Sequence, residues 1–201
     1  MPARLVVLVS GTGTNLQALL DACRDAAYGA EVVAVGSDRR GTRAVERARE
    51  VAVPVFELPL APGADRLEWD VDLVHRVAAF DPDLVVLAGF MKLAGPAFLA
   101  CFGGRIVNTH PALSPAFPGM HGPRDALAYG VKVTGATLFV VDAGVDTGPV
   151  IAQTAVPVED DDTAQSLHER IKVAERELLV TTVGRIARHG FTIEGREVTI
   201  A

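Results

Sequence analysis

The stretch Arg4-Leu-Val-Val-Leu-Val-Ser-Gly-Thr-Gly-Thr-Asn15 decides the fold class of this chain. An unbroken apolar run leads into a glycine-rich turn, and leucines at helical spacing follow, so the stretch predicts a strand, a tight loop and a helix. A strand that is apolar on both faces is typical of a parallel sheet with helices on both sides. The N-terminal residues therefore predict an α/β protein.

The same alternation of strands and helices continues through the first half of the chain. Residues 31–37, 53–57 and 83–90 predict three more strands, and helical segments at about 42–51 and 65–80 separate them. Short strands that alternate with helices are typical of parallel βαβ units. We expect a single-domain, doubly wound, Rossmann-like α/β fold over residues 1–201, with a mostly parallel sheet.

The second half predicts an antiparallel part. After a short helical segment, residues 104–108 predict one more strand, which leads into a loop with three prolines. Two β-branched segments, 132–142 and 149–159, are joined by a turn-rich connection and are expected to pair antiparallel. The remaining predictions are acidic N-capping residues at 160–162, a long helix at about 163–188, and a terminal edge strand at 191–200.

Composition excludes several classes of protein. The chain is 49% hydrophobic and 22% charged, close to the values of about 45–50% and about 25% that are usual for globular domains. Its formal charge of −6 argues against a broad nucleic-acid surface. No apolar run suits a signal peptide or a membrane span, so a cytoplasmic location is expected. Cys23 and Cys101 have no CxxC spacing, which predicts buried thiols rather than a metal site.

The glycine-rich turn at residues 10–15 is a candidate phosphate site. It lies where a strand passes into a helix, so backbone N–H groups and the helix dipole converge there. An ordinary βα turn, with Asn15 as the helix cap, explains the same residues equally well. The turn matches neither GxGxxG nor GxxxxGK[ST], which disfavours a dinucleotide or triphosphate.

Three polar residues form a candidate reaction centre. Asn108 and His110 are two positions apart after a predicted strand, so their side chains can face the same side at the edge where α/β sheets bind ligands. A single histidine of this kind is more often structural. Asp146, in a glycine-flanked loop, would favour the charged ring if it reached His110, but the sequence leaves that contact open. Neither metal-ligand spacing nor GxSxG is present.

Five segments together resemble the phosphoribosylglycinamide formyltransferase family, over residues 4 to about 185. The most specific are Asn-x-His-Pro, the following x-Leu-x-Pro, and Asp-x-Gly-Pro, in that order. The five segments are Ser10-Gly-Thr-Gly-Thr-Asn-Leu-Gln17, Leu87-Ala-Gly-Phe-Met-Lys92, Asn108-Thr-His-Pro-Ala-Leu-Ser-Pro115, Phe117-Pro-Gly-Met-His121 and Gly144-Val-Asp-Thr-Gly-Pro-Val-Ile151.

This resemblance implies an enzyme that transfers the formyl group of 10-formyltetrahydrofolate, its co-substrate, to the amine of 5-phosphoribosylglycinamide in de novo purine (IMP) biosynthesis. Asn108 and His110 would stabilise the developing oxyanion, and Asp146 would orient His110 and accept a proton. The resemblance implies no metal. It divides the domain into a phosphate-binding half, about 1–105, and a folate-binding and catalytic half, about 106–201.

The resemblance also implies roles for other residues. The ribonucleotide would bind Gly13, Thr14, Asn15, Lys172 and Glu175. The folate would bind Arg66, Met91, Lys92, Leu93, Asn108, Val141, Asp142, Ala143, Gly144 and Val145. Thr137 and His121 would support the centre, and Ser114-Pro115 is expected to be a cis peptide. Ala116, Phe139 and Pro123 depart from the family pattern, which affects the surroundings of the centre rather than the centre itself.

Three other functions fit parts of the sequence. A formyltetrahydrofolate deformylase shares this core but usually has an additional N-terminal domain, which this sequence does not carry before Arg4. A methionyl-tRNA formyltransferase is larger and has a basic C-terminal domain for RNA, whereas this sequence ends soon after its long helix and is net acidic. A non-enzymatic phosphate-binding module would need only residues 10–15. We therefore expect small-molecule substrates, no nucleic acid, no membrane, and a monomer or a homodimer.

Overall fold

The central sheet has seven strands in the order β3-β2-β1-β4-β5-β6-β7, in a computed structural model that describes all residues from Met1 to Ala201. The first five strands run parallel, and β6 and β7 are antiparallel to their neighbours. The fold prediction is confirmed. The strands are β1 (Ala3–Val9), β2 (Ala30–Ser37), β3 (Val55–Glu57), β4 (Leu84–Leu87), β5 (Ile106–His110), β6 (Val133–Val140) and β7 (Val150–Pro157).

Helices cover both faces of the sheet because its central strands are apolar on both sides. In β1, Leu5 and Val7 pack with α1 and α6 on one face, and Val6 and Leu8 pack with aromatic residues of α3 and α4 on the other. All four are fully buried. The helices are α1 (Thr14–Ala22), α2 (Arg43–Glu50), α3 (Arg66–Ala78), α4 (Pro96–Phe102), α5 (Gly122–Tyr129) and α6 (Ala164–His189).

Several sequence predictions are corrected in detail. β5 extends to His110, so Asn108 and His110 lie within the strand rather than after it. A helix, α5, follows the proline-rich loop at Gly122–Tyr129, where no helix was predicted. Cys101 is exposed rather than buried. It lies on the outer side of a helix that buries Phe98 and Phe102 on its inner side.

The two ends of α6 also differ from expectation. Its N-cap is Thr163, which forms a capping box with Ser166, whereas Asp162 pairs with Arg170. After Gly190 the chain does not add an edge strand to the main sheet. Residues Phe191–Glu194 (β8) and Glu197–Ile200 (β9) instead pair with each other as a separate antiparallel hairpin. None of the helices is both long and apolar enough to cross a membrane.

Candidate active site

A cavity of about 410 Å³ opens at the carboxyl ends of β4 and β5. This is the edge at which ligands of open α/β sheets bind. About half of its lining is hydrophobic. The predicted residues that line it are Met91, Lys92, Leu93, Asn108, His110, Val141, Asp142, Ala143, Gly144, Val145 and Asp146. Predicted residues from segments far apart in the chain thus line a single cavity.

Asn108 and His110 point to the same side of β5, and the loop from Asp142 to Gly148 brings Asp146 to them. The Nδ1 atom of His110 lies 3.3 Å from Oδ2 of Asp146, and the two side chains are 3% and 13% exposed. The amide of Asn108 has no hydrogen-bond partner within the protein, although Asn108 lines the cavity. This amide is therefore available to a ligand.

Both ring nitrogens of His110 face hydrogen-bond acceptors. Nε2 lies 2.8 Å from the carbonyl oxygen of Phe117, and Nδ1 faces the carboxylate of Asp146. A neutral imidazole has one N–H group, whereas the imidazolium has one on each ring nitrogen. Because Nε2 is held by the protein, the Nδ1–H group is the one that a substrate oxygen can share.

The loop backbone holds Asp146 in an unusual conformation. Its φ is 54°, in the left-handed region that is rare for residues other than glycine and tolerated best by Asp and Asn. Oδ2 of Asp146 also accepts a hydrogen bond of 2.8 Å from the N–H of Gly119. Oδ1 has no partner within the protein. Asp146 is thus fixed by one oxygen and retains the other for water or substrate.

Thr137 supports the proline-rich loop rather than the reacting groups themselves. It lies opposite His110 on β6. Its hydroxyl donates to the carbonyl of Ala112 at 2.7 Å and accepts from the N–H of Ser114 at 2.9 Å. The Ser114–Pro115 peptide is cis, as expected. These contacts fix the loop whose Phe117 carbonyl meets His110.

The glycine-rich turn presents free backbone N–H groups. Gly13 has a φ of 72°, and a Cβ there would lie 2.6 Å from the Cβ of Ala44, so only glycine fits. The first helical hydrogen bond of α1 is donated by Gln17, and no side chain caps the helix. The N–H groups of Thr14 and Asn15 therefore have no acceptor within the protein, which is the arrangement of an anion site.

Asn15 does not cap the helix, as the ordinary-turn explanation would require. Its Nδ2 donates to Oε1 of Glu175 on α6 at 2.9 Å, and the hydroxyl of Thr109 donates to the same oxygen. Glu175 is 8% exposed. Its Oε2 has no partner within the protein. One buried carboxylate therefore joins the glycine-rich turn, β5 and α6.

Besides Thr137, Glu175 and the residues of the glycine-rich turn, three more predicted residues lie outside the cavity lining. Lys172 is one turn before Glu175 and pairs with Glu169, with Nζ and Oε1 2.7 Å apart. Arg66 donates through Nη2 to the carbonyl of Leu93 and lies over the ring of Trp69. His121 is exposed at the start of α5. Arg66 thus borders the lining segment at Leu93, whereas His121 is not brought to the reaction centre.

His168 also lines the cavity, although its sequence context did not predict a role at the site. Burial, followed by the positive charge of Lys172, holds the pKa of His168 below its usual value. His168 is four residues before Lys172 on α6, and helical spacing alone places both on one face. No group of three or more histidine, cysteine or acidic side chains is placed to hold a metal ion.

Comparisons with known proteins show which family this chain belongs to. The profile of the formyl transferase family matches residues 3–183. Phosphoribosylglycinamide formyltransferase of Mycobacterium tuberculosis is 60% identical over 199 residues, 99% of this chain and 92% of that protein. The Escherichia coli protein of the same name is 36% identical over 92% of this chain and 90% of its own length.

Solved structures give the same result. Glycinamide ribonucleotide transformylase 1 from Symbiobacterium toebii superimposes with a TM-score of 0.95 at 44% identity, over 99% of this chain and 94% of that one. The family prediction made from the sequence motifs is confirmed. The chain belongs to the formyl transferase family and, within it, to the phosphoribosylglycinamide formyltransferases.

Proposed function

We propose that Asn108, His110 and Asp146 carry the reaction of this family in this chain. The reaction transfers the formyl group of 10-formyltetrahydrofolate to the amine of 5-phosphoribosylglycinamide, giving the formylated ribonucleotide and tetrahydrofolate. One observation supports these roles above all: an unpaired amide, a buried imidazole facing two acceptors, and a carboxylate with one free oxygen meet in a single cavity.

The first step forms a bond between the amine nitrogen and the formyl carbon, and the C=O electron pair moves to oxygen. The Asn108 amide and the Nδ1–H group of His110 are proposed to donate to this oxygen. Such donors act most strongly where the site is already organised and shielded from water, and His110 is 3% exposed. Loss of one such donor costs about 2.7–4 kcal/mol in activation free energy in comparable sites.

The second step breaks the bond between the formyl carbon and N10 of the folate. The amine loses a proton and N10 gains one. Asp146 is proposed to accept the amine proton through its free Oδ1, directly or through one water, and to return it toward N10. Oδ2 of Asp146 meanwhile faces the His110 ring and accepts from Gly119. Asp146 thus orients the ring and transfers a proton with different oxygens.

The acceptor is proposed to bind by its phosphate at the start of α1. The free N–H groups at Gly13, Thr14 and Asn15 and the helix dipole favour an anion there. Lys172 adds a positive charge from α6. The free Oε2 of Glu175 can accept from the amine-bearing end of the acceptor. The acceptor site therefore takes residues from both proposed halves of the single domain.

The folate is proposed to bind along the apolar side of the cavity. Met91, Leu93 and Val145 offer exposed apolar surface, which suits a flat ring system. Arg66 lies beside Leu93 and is placed to meet the glutamyl carboxylate. We further propose that the chain works in the cytoplasm as a monomer or a homodimer and does not bind nucleic acid. Its net charge of −6 supports the last point.

A formyl-transfer assay with and without the ribonucleotide tests this proposal. Tetrahydrofolate release by the wild type should require the ribonucleotide, and Asp146→Asn should lower kcat by orders of magnitude. Release at the same rate without acceptor would identify a deformylase. An unimpaired Asp146→Asn enzyme would refute the role given to Asp146 and leave the reaction itself in place.

A further inference from the structure

The C-terminal hairpin contacts the loop that holds Asp146. Arg196 lies at the turn between β8 and β9, and its Nη2 donates to the carbonyl of Thr147 at 3.0 Å and to the carbonyl of Gly148 at 3.3 Å. These are the two residues directly after Asp146. None of the proposed reaction steps involves the hairpin.

The hairpin is held in place at its base. Phe191 and Ile200, at its two ends, pack against the core beneath the sheet, and β9 lies against β7. The turn with Arg196 therefore projects from an anchored element rather than from a free terminus. A contact made from such an element can fix the position of the loop that it meets.

The loop is bonded internally, with the Thr147 hydroxyl donating to Oδ1 of Asp142 at 2.7 Å, and cavities flank it at Asp146. A second cavity, of about 610 Å³, adjoins the first, and the two share only Val145 and Asp146. The segment around Asp146 therefore separates the two cavities. Its backbone is also strained, since Asp146 has a φ of 54°. Arg196 lines the second cavity and binds the loop from that side.

We propose that Arg196 is a positioning residue for the reaction. It holds the two carbonyls that follow Asp146 and thereby fixes the direction of the Asp146 carboxylate toward His110. This inference rests on the proposed role of Asp146. Arg196 lies on the hairpin and lines the second cavity but not the one that contains His110, so its effect passes through the loop backbone.

The size of the effect follows from geometry. The contact between His110 and Asp146 spans 3.3 Å, and a displacement of about 1 Å would break it. Misplacement by about 1 Å can cost on the order of a hundredfold in rate. Because Arg196 is exposed and water can partly replace it, we expect Arg196→Ala to lower kcat by about 5- to 30-fold.

The test compares Arg196→Ala with a matched control. Arg188 also donates to a single backbone region, the carbonyl of Tyr28 at 3.2 Å, and does not line either cavity. Arg196→Ala should lower kcat and leave KM for the ribonucleotide nearly unchanged, whereas Arg188→Ala should leave both unchanged. Arg196→Lys should restore part of kcat, since lysine can still donate to one carbonyl.

A double variant separates positioning from mere stabilisation of the fold. In the Asp146→Asn background, measured by single turnover, Arg196→Ala should change the rate less than twofold, because the group it positions is already lost. An equal loss in both backgrounds would refute the inference, as would a kcat equal to that of Arg188→Ala. If Arg196→Ala had the kcat of the wild type while Asp146→Asn was impaired, the positioning role of Arg196 alone would be refuted. If Asp146→Asn was unimpaired, the proposed role of Asp146 and the positioning role would both be refuted.

Discussion

Replacing Glu175 should separate stability from acceptor binding. Oε1 of Glu175 accepts from Asn15 at 2.9 Å and from Thr109, and the residue is 8% exposed. Glu175→Ala leaves two buried donors without a partner, at about 1–3 kcal/mol each, so we expect a loss of about 2–6 kcal/mol in the free energy of unfolding. Glu175→Gln keeps an oxygen for both donors but weakens each bond, and should cost about 1–3 kcal/mol.

Binding of the ribonucleotide should be affected by Glu175→Gln more strongly than stability is. In Glu175→Gln, the amide nitrogen would occupy the position of the free Oε2. The ribonucleotide would then face a hydrogen-bond donor where the carboxylate offers a hydrogen-bond acceptor. KM for the ribonucleotide should therefore rise on the order of tenfold although most of the stability remains. Urea unfolding gives the free energies, and steady-state assays give KM.

The control is Glu177→Ala, an exposed residue on the same helix without a hydrogen bond. It should unfold within about 0.5 kcal/mol of the wild type. If Glu175→Ala unfolded at the same urea concentration as Glu177→Ala, the buried link from Asn15 to Thr109 through this carboxylate would be refuted.

Two further predictions concern backbone geometry and thiol chemistry. Gly13→Ala adds a Cβ 2.6 Å from that of Ala44 at a φ of 72°, which should lower the free energy of unfolding by about 2–4 kcal/mol. Gly41 also has a positive φ but lies in open space, so Gly41→Ala in the same unfolding assay measures the conformational cost alone. Equal losses in the two variants would contradict the steric argument. Burial raises the pKa of the Cys23 thiol from 9.0 to about 11, so at pH 8 its thiolate fraction falls about a hundredfold. A thiol reagent should therefore modify the exposed Cys101 first, and two equal fast phases would contradict this.

The sequence predicted the elements whose pattern depends on local spacing. The apolar run at residues 4–9 predicts a strand and the leucines of α1 predict a helix, because both patterns are complete within a few residues. The end of β5 was placed two residues early, since the run Asn108-Thr-His110 is polar and faces a cavity, which hydrophobicity cannot distinguish from a loop. The helix α5 was missed because Gly122 and Pro123 resemble a turn.

The candidate site was predictable in its residues but not in its contacts. The motifs brought together Asn108, His110 and Asp146, and the cavity contains all three. The bond from His110 to the carbonyl of Phe117 depends on the path of the proline-rich loop, which no residue type reveals. The pairing of Asn15 with Glu175 spans 160 residues and needs the folded chain.

That pairing makes the proposed phosphate site depend on both ends of the chain. The glycine-rich turn comes from the first residues of the sequence, but the carboxylate that holds Asn15 comes from the last helix. If the chain were cut at the turn between Phe102 and Arg105, the N-terminal fragment would keep the free N–H groups of α1 and lose the anchor that orients them. Phosphate affinity would then measure whether two complementary fragments have associated in the correct arrangement.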